Sequence, residues 1–195
     1  MKNIMKNRLA LSTVVTTLII LVVSVLLAGV VTYFAINVTS TRVQEESLQL
    51  EFLHVWCPQG TAQDKTGQTP PEAAFVIINT GGRDVVINKV TVRGQAADFA
   101  TTSAHPVYYL GGAVTSDLSY VAGSDASHAA TLALTTLTYI GASGDITLKS
   151  GNSMTVYIIC PDSISINDIG LTVGITVFTS QAMYYQEANV QAYVS

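Results

Sequence analysis

A chain of 195 residues with 13 acidic and 9 basic side chains and a net charge of −4 is long enough for one domain with an appendage. It lacks the basic footprint that nucleic acid requires, so no nucleic-acid partner is expected. Charged residues make up 11% of the chain, less than half the roughly 25% of a typical soluble protein. The deficit is local, because no Asp, Glu, Lys or Arg occurs between Arg8 and Arg42, a gap of 33 residues. From Arg42 to Ser195 the chain carries 6 basic and 13 acidic residues, net −7, the balance of a mildly acidic soluble domain.

In chain order, the first element is a short basic head, MKNIMKNRLA, followed by the apolar stretch Leu9–Asn37. That layout resembles a secretory signal, but the apolar region is about twice the roughly 7–15 residues of a signal. It exceeds the roughly 20 residues that cross a bilayer. As a helix, Leu11–Ser40 would be about 45 Å long at about 1.5 Å per residue. Lys2, Lys6 and Arg8 predict a cytoplasmic amino terminus, with everything after Asn37 outside. Asn37-Val38-Thr39 is an N-glycosylation acceptor pattern, though one short enough to arise by chance.

RVQEES, Arg42–Ser47, can prolong the helix, and a boundary is expected near residue 46. SLQLEFLHVW then alternates, with Leu48, Leu50 and Phe52 on one face and Gln49 and Glu51 on the other, a strand signal. Residues 58–72 read as a polar loop broken by Gly67, Pro70 and Pro71. AAFVIINTGGRDVVINKVTVRG reads as a β-hairpin whose turn, NTGGRD, uses residues tolerant of positive φ. PVYYL, Pro106–Leu110, is a further strand. Residues 111–144 form a Gly/Ala/Ser/Thr-rich surface excursion, with one or two strands in TLALTTLTYI. DITLKSGNSMTVYIICPD reads as strand, tight turn at Ser150–Asn152, strand, and the last stretch as a hairpin turning near Ser180–Ala182. About eight strands with turns at short intervals predict an antiparallel sandwich or barrel. The fold class is therefore α+β: a long hydrophobic amino-terminal helix over 11–46, then an antiparallel, immunoglobulin-like β-sandwich over 47–195.

Two cysteines, Cys57 and Cys160, are each followed by proline. In an exported domain they are a disulfide candidate, closing a loop of about 100 residues worth about 4–5 kcal/mol in the chain-entropy model. The alternative is two buried thiols. Their separation argues against a CxxC-type metal site.

Nothing in the pattern points to catalysis. His54, His105 and His128 have no metal-ligand spacing, SGNS near residue 150 lacks the strand–elbow–helix setting of a nucleophile, and NTGGRD precedes no helix that could hold phosphate. Asp162 and Asp168 are the only acidic residues placed to consider for calcium, and they form no EF-hand-like run. Trp56, Tyr108–Tyr109 and Tyr184–Tyr185 fit strand packing. No cofactor, metal or catalytic residue is expected, and the chain reads as a non-enzyme.

The head of the chain, KNRLA followed by LSTVVTTLIILVVSVLLAGVV, resembles the archaeal type IV pilin-like proteins, the group of adhesion pilins and archaellins. The resemblance covers residues 1–40; beyond them only the architecture matches. It implies that residues 1–10 are a leader cut by a prepilin peptidase between Ala10 and Leu11, and that the helix is kept. Ala10 stands where the family more often has Gly, and Leu9 separates it from Arg8. Val15 stands where bacterial pilins carry a glutamate, which favours the archaeal branch. The implied partners are further copies of the chain in a helical homopolymer, the membrane before assembly, the peptidase and the assembly machinery. The implied location is a cell-surface filament whose precursor lies in the membrane. Small residues such as Ala28 and Gly29 would let helices approach, and Thr13, Thr16, Thr17 and Ser24 would bond back along the helix or across it. The competing expectation is a membrane-anchored extracellular binding module that never polymerises.

Overall fold

The computed structural model describes residues 2–43, 45–59, 70–100, 107–112, 116–121, 129–132 and 135–193. The polar loop around Gly67, His105, His128 and Pro106 lie outside them. The chain forms two compact units, Met1–Gln44 and Glu45–Ser195.

The first unit is one helix, α1 (Lys2–Val43), about 63 Å long at about 1.5 Å per residue. The expected extension through RVQEES stops at Val43, and Glu45–Ser47 are not helical. The second unit is a strand-rich curled sheet. Its strands are β1 (Leu48–Pro58), β2 (Glu72–Asn79), β3 (Val85–Val92), β4 (Gln95–Ala96), β5 (Val107–Gly111), β8 (Ile140–Gly141), β9 (Ile146–Leu148), β10 (Ser153–Ile159), β11 (Thr172–Thr179) and β12 (Met183–Tyr193). They run in the order β4-β3-β11-β12-β1-β2-β10-β5-β8, with β9 paired to β3. Residues 111–144, expected as a surface excursion, bury Leu118, Val121, Tyr139 and Ala142, and within them β6 (Ala129–Leu132) and β7 (Thr135–Thr138) form a separate two-stranded pair.

Pairing is antiparallel except at the centre, where Val55–Pro58 of β1 runs parallel to Val190–Tyr193 of β12. This short ladder joins two halves. The first half of β1 pairs with β2 alone, and the register slips between Glu51 and His54. At the slip Phe52 adopts φ 50° and turns its ring outward, 37% exposed. Leu48 and Leu50 face inward as the alternation predicts. Phe52 does not, because a bulge resets the strand's faces.

The hairpin expected over Ala73–Gly94 is corrected. β2 pairs with β1 and β10, whereas β3 pairs with β11, β4 and β9. NTGGRD is a crossover between the two halves. Its hub is Asn79, fully buried, whose Nδ2 donates to the carbonyls of Arg83 at 2.9 Å and Leu148 at 3.1 Å. Its main chain pairs with Asn152 and Gly151, so the β9–β10 turn meets the same residue. That turn also crosses between halves, and it places Gly151 at φ 74°. The expected hairpin at the carboxyl end is present, with Phe178 opposite Met183 across the turn.

One core lines the inner surface of both halves. It takes Phe75 and Ile77 from β2, Val156 and Ile158 from β10, Val85, Ile87 and Val90 from β3, and Val173, Ile175 and Val177 from β11. In β11 only alternate residues are buried, whereas β2 and β10 are buried almost throughout. The reason is a second core on the other face of β2 and β10, built from Trp56, Ala74, Val76, Tyr157 and Ile159 and covered by Leu118, Val121 and Tyr139. A strand covered on both sides reads as a continuous apolar run.

Candidate functional site: the apolar helix surface

From Ser12 to Thr41 the helix carries 30 uncharged residues, within which an 18-residue window reaches a mean hydropathy of 2.9 with none of it buried. The apolar side chains cover every face: four successive residues, Leu18, Ile19, Ile20 and Leu21, are each 56–60% exposed. A helix apolar all round is not the surface helix of a soluble domain. It is long and apolar enough to cross a membrane.

Four hydroxyls along it bond back to the helix's own carbonyls. Thr16 Oγ1 donates to the Ser12 carbonyl at 2.9 Å, Thr17 Oγ1 to Val14 at 2.9 Å, Ser24 Oγ to Ile20 at 2.7 Å and Thr32 Oγ1 to Ala28 at 2.8 Å. A hydroxyl bonded to its own helix does not need water, so these residues add little cost to burial in an apolar medium. At Gly29 an added Cβ meets nothing within 4 Å, which leaves a shallow notch in the helix surface.

Ala10 and Leu11, the expected cut, lie within α1, and their side chains fall outside the described residues. Asn37 is exposed on the same helix, and its carbonyl accepts a hydrogen bond from Thr41 Oγ1 at 2.9 Å.

The two cysteine sulfurs are not bridged. Their strands are not neighbours as expected, since β2 lies between β1 and β10. Two strand spacings of about 4.8 Å exceed the roughly 7 Å limit between the Cα atoms of a disulfide. In addition, Cys57 packs in the inner core and Cys160 in the outer one. Cys160 adopts φ 50° at the end of β10, and burial pushes the Cys57 thiol up.

The remaining sequence candidates are structural. His54 stacks on Trp56 at 5.1 Å and its Nε2 lies 2.7 Å from Asp117. Asp168 accepts from Arg93 at 2.7 Å and from both the backbone and hydroxyl of Ser165. Those bonds hold its carboxyl below the usual range, the Ser165 hydroxyl contributing most. Asp162 is 3.5 Å from Gln95 Nε2. The pattern did not mark the strap Asp117–Val121, which is pinned over the outer core. There Tyr157 donates to the Ser119 carbonyl at 2.8 Å and the Val121 N–H to the buried Glu72 carboxylate at 2.9 Å. A charged residue opening the apolar run EAAFVII was the available signal.

No protein-family model and no curated protein matches this chain.

Proposed function

We propose that this protein is the structural subunit of an archaeal type IV pilus-like filament. The helix spans the membrane before assembly and packs into the filament core afterwards. Residues 1–10 are the leader, cut between Ala10 and Leu11, and residues from Glu45 onward form the extracellular head. One observation carries the reading: the helix presents 30 uncharged residues on all faces, with the hydroxyls of Thr16, Thr17, Ser24 and Thr32 bonded back along it, and the head owns its core. A membrane span needs about 20 of those residues, and apolar surface on every side suits a position surrounded by other helices. Apolar burial of about 1.5–3 kcal/mol per large side chain, repeated through contacts that do not close, yields an open filament.

The head is read as an immunoglobulin-like sandwich. Supporting this, β1-β2-β10-β5 and β12-β11-β3-β9 share one inner core, and the first strand keeps β2 on both sides of its bulge and gains β12 beyond it. The test is processing. Native protein should begin at Leu11, and Ala10→Trp should retain Met1 and remain in the membrane. Normal filaments from an uncut Ala10→Trp chain would sink the proposal. A native Met1 on a monomeric surface protein would replace it with the anchored binding module.

A further inference from the structure

The entry of the chain into the head, Glu45–Ser47, is not a loose linker. The Ser47 carbonyl accepts the N–H groups of Thr80 at 2.9 Å and Gly81 at 3.1 Å, and the Glu45 carbonyl accepts that of Gly82 at 3.2 Å. Thr80 Oγ1 is 2.9 Å from Ser47 Oγ. On the other side, Thr179 Oγ1 donates to the Glu46 carboxylate. Three residues are thus gripped between the β2–β3 crossover and the β11–β12 turn.

Gly81 shows how close the grip is. Its backbone is not in the left-handed region, so conformation does not demand glycine. A Cβ there would lie 2.7 Å from both the Glu45 carbonyl oxygen and the Ser47 nitrogen. Both are backbone atoms, so they cannot swing aside.

We infer that Glu46, Gly81 and Thr179 are positioning residues for assembly: they clamp Glu45–Ser47 to the head, so that the chain enters every head by the same path. The inference rests on the filament reading and adds what makes its heads regular. Helical symmetry needs identical contacts in every subunit, and three freely rotating residues would let each head swing separately. With the clamp closed, those residues belong to the head's rigid unit.

The test uses the full chain in lipid nanodiscs and a glutamate-specific protease. Wild type should be cut slowly after Glu45 and Glu46. Gly81→Ala should be cut there at least about tenfold faster, as expected when local opening becomes easier, with Glu51, Glu72 and Glu187 spared. If Gly81→Ala is also cut at those strand positions, the head has unfolded, and Glu46→Ala, read at the Glu45 bond, decides by the same criterion. Equal neck cleavage in wild type and the deciding variant overturns the clamp. In filaments, the variant should keep the helical core but blur the averaged density of the heads, and heads as sharp as wild type overturn the positioning role. A wild type that forms no filaments sinks the filament reading, while the protease result still decides the clamp.

Discussion

Gly29→Leu separates an assembling helix from a mere anchor, because the two roles respond with opposite signs. In the isolated subunit a Cβ at this position meets nothing within 4 Å, so the side chain starts into open space. Helix propensity improves by about 0.6–1 kcal/mol, and a mid-span leucine favours the bilayer by about 0.3–0.6 kcal/mol. Anchoring should therefore strengthen by roughly 1 kcal/mol. In a core where every face of the helix meets a neighbour, the same side chain fills a notch that lets helices approach. Overpacking of this kind costs about 1–3 kcal/mol, roughly a 5- to 150-fold loss in association at about 1.4 kcal/mol per tenfold. The assay pairs alkaline extraction of membranes with the yield of sheared surface filaments. The expected outcome is tighter membrane retention with filaments strongly reduced or absent. Undiminished filaments would refute the packing argument. A charge such as Val23→Asp is a poorer probe, since bilayer and filament core both penalise it.

A fragment beginning at Glu45 should be soluble, monomeric and β-rich by circular dichroism, because the head forms its own compact unit; polymerisation of the fragment alone would contradict the division of labour. Asp168→Asn should destabilise the head by about 1–2 kcal/mol, the difference between charged and neutral hydrogen bonds. The folded carboxyl is depressed, so its stabilisation is complete above the unfolded value near about pH 4 and is lost as pH falls through the folded one. Melting of wild type should thus drop more steeply than that of the variant below about pH 4, and parallel curves would refute the assignment. Non-reducing mass analysis should find two thiols that alkylate only after unfolding, since Cys57 and Cys160 are at most 5% exposed; a mass two hydrogens lower would restore the disulfide.

The helix and the last hairpin were legible because their signals are local. Thirty-three uncharged residues and the alternation through Val173, Ile175 and Val177 each decide their element without reference to anything distant. The crossover at Asn79 was misread because local turn chemistry does not say which strand a chain will pair with. Yet the sequence held a clue. FVII and TVYII are unbroken apolar runs, while LTVGITVF alternates, and that difference tracks whether one face or two are covered. Two doubly covered runs belong side by side, as β2 and β10 are, and a singly covered strand belongs with others of its kind. That criterion separates β2 from β3 without reference to the turn between them. The glycines of NTGGRD were a second trap, since positive φ was the expected reason for them. Gly81 is there for close approach to a backbone 34 to 36 positions earlier. Glu46 meets Thr179 across 133 positions. Neither contact has a periodicity, so only the folded chain brings them together. The same holds for the cysteines: matching Cys-Pro contexts suggested a pair, but the intervening β2 and the turned backbone of Cys160 send the sulfurs to different cores.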